Sequence, residues 1–188
     1  MKVLVLVDLQ NDFIKGSLGT PEAQAIVPKV VDKLRNYPDK ENTLLLYTKD
    51  THKQNYLDTF EGKHLPVEHC IEDTSGWSIN KEIASVGDNQ KFLYCSARDV
   101  IKSRIYKNTF GSDVLRELLL EYQNEIDEVE FCGLCTDICV ISNVLMSRQA
   151  LPGIKITVDA SCCAGTTPEA HAAALLVMKS CQIDVINE

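Results

Sequence analysis

Phe131-Cys132-Gly133-Leu134-Cys135-Thr136-Asp137-Ile138-Cys139-Val140-Ile141-Ser142 reads as a strand that turns into a helix. Val129 to Cys132 is short and apolar, Gly133 supplies a tight turn, and beyond it Asp137, Cys139, Val140, Val144 and Leu145 begin at helical spacing. A cysteine in the first turn of a helix lies among backbone N–H groups without intrahelical partners, at the positive end of the helix dipole, which favours the thiolate. Cys139 is therefore the candidate nucleophile. Two other readings stand beside it. Cysteine is among the most buried residue types, so Cys139 also reads as plain packing. Cys132-Gly-Leu-Cys135 is a C-x-x-C, the spacing of a dithiol redox pair, but that chemistry needs its first cysteine exposed at a helix start and Cys132 closes an apolar strand.

Outward from this unit the chain alternates strand and helix. Lys2 to Val7 is an unbroken Val/Leu run, as expected of a parallel strand covered on both faces, and it ends in Asp8. In open parallel sheets ligands bind beyond the carboxyl ends of the strands, so Asp8 is a site candidate as well as a turn or cap residue; Asp12 reads as serving the turn. Pro21-Glu22-Ala23 opens a helix carrying Ile26, Val30, Val31 and Leu34 to Tyr37-Pro38, and Asn42 to Thr48 is a second strand, again ending in polar residues. A short helix is predicted over 79–84, with short strands at Lys91 to Cys95 and Arg104 to Tyr106. Ser112 or Asp113 caps a helix carrying Val114, Leu115, Leu118 and Leu119. The helix from about Asp137 stops at Leu151-Pro152-Gly153, Ile154 to Val158 is a strand, Thr167-Pro168-Glu169 opens a helix, and Ile183 to Ile186 is a last strand. The fold class is α/β: a three-layer open, mostly parallel sheet with helices on both faces, in a single domain over 1–188.

Histidine is concentrated where the second strand ends. Asp50 and His52, two apart in an extended stretch, point to the same side, and Glu61, His64, Glu68 and His69 follow. Carboxylate plus imidazole suits zinc, manganese or iron; with Lys49, Lys53 and Lys63 nearby the stretch also reads as a solvated polar loop. Asp50, His52 and His69 are the better ligands, with Glu61 fourth and His64 or Asp58 as rivals. Lys107, after a strand and before a Gly turn, could reach the same cleft, although an isolated lysine reads first as a surface charge.

The 188 residues suffice for a sizeable core, and a net charge of −8 argues against nucleic acid or an anionic membrane as partner. No run approaches the roughly 18 apolar residues of a membrane span. Eight cysteines without an export signal indicate a reducing compartment, taken as the cytoplasm. A small molecule is the expected partner, and a homo-oligomer is compatible with the sequence.

In order, Asp8-Leu-Gln-Asn-Asp-Phe13, Asp50-Thr-His52, Leu65-Pro66-Val67-Glu68-His69-Cys70, Lys107 with Phe110, and Gly133-Leu-Cys-Thr-Asp-Ile-Cys139-Val140 resemble the nicotinamidase and isochorismatase-like cysteine hydrolases, over nearly the whole chain. The resemblance implies a catalytic triad of Asp8, Lys107 and Cys139, a cis peptide between Leu134 and Cys135, and an oxyanion hole from the backbone N–H groups of Cys135 and Cys139. It implies hydrolysis of a small amide, foremost nicotinamide to nicotinic acid and ammonia in NAD salvage. A divalent metal, zinc foremost with manganese or iron as alternatives, would be held by Asp50, His52, Glu61 and His69; Phe13 and Leu134 would line the substrate pocket. A ureido or carbamoyl substrate is the nearest alternative, and a redox protein using the C-x-x-C or a non-catalytic binding protein are the alternatives from other classes.

Overall fold

The computed structural model describes residues 1–93 and 103–188. Six strands, β1 (Lys2–Val7), β2 (Thr43–Asp50), β3 (Arg104–Lys107), β4 (Glu128–Leu134), β5 (Lys155–Ala164) and β6 (Asp184–Ile186), form one sheet in the order β3-β2-β1-β4-β5-β6. Every neighbouring pair is parallel. β1 lies at the centre with Val3, Leu4, Val5, Leu6 and Val7 fully buried, so both of its faces are covered, as its unbroken apolar run requires. The helices are α1 (Asn11–Ile14), α2 (Pro21–Asn36), α3 (Phe60–His64), α4 (Lys81–Asp88), α5 (Asp113–Glu121), α6 (Ile141–Ala150) and α7 (Pro168–Ser180). Thr20, Ser112 and Thr167 cap α2, α5 and α7, each hydroxyl oxygen accepting a backbone N–H of the first turn. Among the described residues no helix is long and apolar enough to cross a membrane.

The strand order reverses between β1 and β4. There the chain leaves β1 toward β2 on one side and β4 toward β5 on the other, opening a crevice at the carboxyl ends of the strands. Asp8 follows β1, Asp50 ends β2, Lys107 ends β3, and Cys135 to Cys139 follow β4. Sheet topology alone thus gathers residues nearly a whole chain length apart.

Several boundaries differ from the sequence reading, each for a local reason. Gly133 is not a turn but lies inside β4, with φ of +132°, and a Cβ there would meet the Val7 carbonyl oxygen at 2.1 Å. Glycine is required because β1 passes against the β4 backbone at that point. β5 continues through Asp159 to Ala164 instead of ending at Val158, because a bulge carries its pairing with β4 from Val158 opposite Phe131 to Cys163 opposite Gly133. The helix predicted over 79–84 begins at Lys81, where the Asn80 side chain accepts from the Glu82 and Ile83 N–H groups, and runs to Asp88. In the predicted 91–95 strand, Leu93 makes only an isolated bridge to Leu44, while Tyr94 and Cys95 lie outside the described residues.

At the amino ends of the strands Glu128 ties the three neighbours β1, β4 and β5 together. Its carboxylate pairs with Lys155 at 2.8 Å and Lys2 at 3.2 Å and accepts from the Thr157 hydroxyl at 2.9 Å. Burial works against the charge, but these three partners bring the Glu128 pKa down to about 2. A folded-state pKa below the ordinary 4.5 means stability present above 4.5 and lost as pH falls toward 2. Glu128→Gln is expected to destabilise the protein at neutral pH and to flatten its acid-unfolding curve in that window, measured by thermal melts from pH 6 to pH 2; an unchanged curve would remove Glu128 from the acid response.

Candidate active site

Lys107 is the hub of the crevice. Its ammonium lies 2.6 Å from Asp8 Oδ2, 3.4 Å from Cys139 Sγ and 3.7 Å from Asp50 Oδ1. A lysine buried this deeply would ordinarily lose its proton; here burial is outweighed by Asp8, Cys139 and Asp50, which hold its pKa above the usual value. Asp8 is fully buried, has the left-handed φ of 46°, and accepts the Thr48 hydroxyl on Oδ1 at 2.6 Å. Burial pushes its carboxyl pKa up, against the pull of Lys107, so it is a stronger base than an exposed aspartate.

Cys139 lies in a π-helical turn, Thr136–Val140, that connects β4 to α6. The Leu134–Cys135 peptide is cis, and the Cys135 carbonyl accepts from the N–H groups of Ile138 and Val140, both at 3.1 Å. The turn is tied down from three sides. Asn143 donates to the Cys139 carbonyl at 2.7 Å and to the Phe110 carbonyl at 3.1 Å; Asp137 accepts from the Thr166 N–H at 2.8 Å; and the Thr136 hydroxyl meets His171 Nδ1 at 2.8 Å. The expected lowering of the thiol pKa is corrected here: burial and the neighbouring Asp8 push Cys139 well above the ordinary value, outweighing Lys107.

Beside Asp8, Lys107 and Cys139, Asp50, His52 and His69 converge, with one ligand atom from each within 4.8 Å of the others and all three residues buried. His52 Nε2 is 3.0 Å and His69 Nε2 3.4 Å from Asp50 Oδ2. The 2.8 Å bond between His69 Nδ1 and the Val67 carbonyl requires the proton on Nδ1, which leaves the Nε2 lone pair facing the cluster. Two imidazole nitrogens and a carboxylate, one ring oriented by a carbonyl, fit a divalent metal such as zinc. Burial would raise the Asp50 pKa, but the adjacent His52 and His69 rings and the charge of Lys107 hold it well below the carboxylate range. Glu61 Oε1 approaches from the solvent side, 3.8 Å from His52 Nε2 and 3.9 Å from His69 Nε2. Of its rivals, His64 is exposed and its Nδ1 is engaged by the Phe60 carbonyl at 2.8 Å, and Asp58 is exposed.

The family described as "Isochorismatase domain" matches residues 2–188. The chain belongs to the isochorismatase domain family. It is a hydrolase of that family, as the sequence resemblance implied. It is 29% identical over 206 residues to the nicotinamidase of Escherichia coli strain K12, covering 95% of this chain and 91% of that one. It is 26% identical over 195 residues to the nicotinamidase/pyrazinamidase of Mycobacterium tuberculosis, covering 99% and 98%. Among solved structures, the pyrazinamidase of Pyrococcus horikoshii in complex with zinc superposes with a TM-score of 0.74 at 25% identity, covering 100% of this chain and 99% of that one.

Three residues of this isochorismatase-family site were not singled out from the sequence. Gln10, fully buried, donates to the Asp50 carbonyl at 2.8 Å and accepts the Asp50 N–H at 2.7 Å, fixing the strand end that carries Asp50. Thr48 orients Asp8, and Tyr56 packs its ring 4.6 Å from that of His52 and 4.9 Å from that of His69. Gln10 had a signal, its place in the Leu9-Gln10-Asn11-Asp12-Phe13 stretch directly beyond the end of β1; a buried threonine or tyrosine has none. Asp12 does more than serve a turn, since its Oδ2 accepts the Cys70 N–H at 2.8 Å beside His69. Phe13 lies with its ring 5.5 Å from that of His69 and Leu134 is almost fully buried at the end of β4; neither lines the adjoining cavity. Cys132 is fully buried with its thiol pKa pushed well up, chiefly by burial, and burial pushes Cys135 up to about 12, neither of which suits dithiol exchange.

Proposed function

We propose that the chain is a metal-containing cysteine amidohydrolase of the nicotinamidase type, converting nicotinamide and water to nicotinic acid and ammonia through a thioester on Cys139. The position of Lys107 carries this reading: one ammonium touches Asp8 and Cys139 and also approaches Asp50 of the metal-ligand cluster. A heteroaromatic ring held at the cluster therefore presents its exocyclic amide to the sulfur. The similarity to nicotinamidases of Escherichia coli and Mycobacterium tuberculosis, and the zinc in the Pyrococcus horikoshii structure, support the same substrate and metal.

The residues supply each step. Asp8, its pKa raised, takes the Cys139 proton as sulfur bonds to the amide carbon, while Lys107 keeps its charge and balances the anion that moves between carboxylate and thiolate. The backbone N–H groups of Cys135 and Cys139 hold the developing oxyanion. Asp8 returns its proton to the amide nitrogen, the C–N bond breaks, ammonia leaves and the thioester remains. A water, deprotonated by Asp8, adds to the thioester carbon, the C–S bond breaks, and the thiolate recovers the proton from Asp8. Asp50, His52 and His69, with Glu61 beside them, would hold the divalent metal, which when bound supplies a Lewis-acid anchor for the ring nitrogen.

Nicotinic acid as product places the reaction in pyridine nucleotide salvage, and the seven described cysteines, all free thiols, fit a reducing cytoplasm. Ammonia release from nicotinamide by the purified protein, before and after chelation, tests this directly. Release that chelation abolishes and metal restores is expected. Release that survives chelation would take the metal out of the reaction, and no release from nicotinamide at all would move the substrate to a ureido or carbamoyl compound.

A further inference from the structure

The site opens into a cavity of about 960 Å³. That lies at the upper end of the roughly 300–1,000 Å³ typical of pockets for drug-sized ligands, and one pyridine ring with a carboxamide fills only part of it. Its inner wall is His52, Glu61 and Lys107, the chemistry already described. Its outer wall is different in kind. Phe60 on α3 is 81% exposed and Phe110, in the loop after β3, is 50% exposed; both line the cavity, with the uncharged Thr59, Asn108 and Thr109 beside them.

The basic groups on the lining are paired, Lys53 with Glu72 and Lys107 with Asp8, while the Glu61 carboxylate lies at the inner end beside the His52 and His69 rings. The outer region thus offers aromatic surface without an unpaired ion to select a charged group. The Phe60 ring has the His64 ring as a neighbour, centroids 4.3 Å apart, on its own helix, leaving its other surface open.

We propose that Phe60 and Phe110 form an outer aromatic subsite, so that the preferred substrates are heteroaromatic carboxamides carrying a ring-sized apolar substituent on the side remote from the scissile amide. This rests on the amidase reading of the inner site. The substituent is the occupant because the two phenylalanines line the same cavity as His52, Glu61 and Lys107, and the Lys107 ammonium lies 3.4 Å from Cys139 Sγ. Burying a phenyl ring against two others contributes apolar area and ring–ring contact together.

The test separates binding from turnover by using product acids. Calorimetric titration of the zinc-loaded full chain with nicotinic acid and with 5-phenylnicotinic acid is expected to show the phenyl acid bound at least about tenfold more tightly. Phe60→Ala and Phe110→Ala should each bring that ratio toward one. Equal or weaker binding of the phenyl acid, or a ratio untouched by both substitutions, would overturn the subsite. A Phe60→Ala change in oligomeric state by gel filtration, with the ratio unmoved, would give that face to a second copy of the chain and also overturn it. Ammonia release from the two amides is scored separately. A binding preference without release from either amide would fail the amidase reading alone, release without the preference would fail the subsite alone, and no binding of either acid would fail both.

Discussion

Cys139→Ala is expected to lower ammonia release from nicotinamide by about four to six orders of magnitude, the scale seen when a nucleophile that works as one unit with its base is removed. The substitution deletes one sulfur from a turn held by Asn143, Asp137 and Thr136, so fold and metal content should be retained. Lys107 would keep Asp8 at 2.6 Å and Asp50 at 3.7 Å and remain charged. The matched control is Cys135→Ala. Cys135 is assigned a backbone N–H and no role for its thiol, so that variant should retain most of its activity, whereas a dithiol mechanism predicts the reverse order. Residual turnover above a few per cent in Cys139→Ala would sink the nucleophile assignment.

His52→Ala has the second-largest expected effect. It removes one of two imidazole nitrogens from the cluster and leaves Asp50 and His69 to hold the ion alone. Metal affinity should fall by more than the roughly 10–100-fold that loss of a group merely orienting a ligand costs. If the metal anchors the substrate ring, KM should rise more steeply than kcat falls, since sulfur, Asp8 and Lys107 remain in place. Metal content by elemental analysis, beside steady-state kinetics, decides this. Full metal occupancy in the variant would take His52 out of the ligand set.

The sequence made visible what depends on pattern. The apolar runs of β1 and β2, each followed by an aspartate, and the strand entering the Cys139 turn mark the crevice in the sequence itself. The spacing of Asp50, His52 and His69 likewise pointed to one cluster. Hidden features were those set by a partner distant in the chain. Gly133 looked like a turn because nothing local reveals that Val7 lies against it, and β5 looked shorter because its bulge exists only opposite β4. Thr48, Asn143 and Tyr56 are ordinary residues until the fold sets them against Asp8, the Cys139 carbonyl and the histidine rings. The thiol pKa was misjudged for a related reason: helix position was legible, but the depth of Cys139 beside Asp8 was not. Conversely, Lys107 read alone as a surface charge, and only the adjacency of β3 to β2 brings it to Asp50 and the triad.

The most direct measurement is the intact mass of the protein quenched in acid within the first turnover of nicotinamide, followed by peptide mapping. A nicotinoyl adduct on the peptide containing Cys139, forming and decaying at rates consistent with ammonia release, is the expected result. Release of ammonia without any such adduct, or an adduct on another cysteine, would contradict catalysis through Cys139.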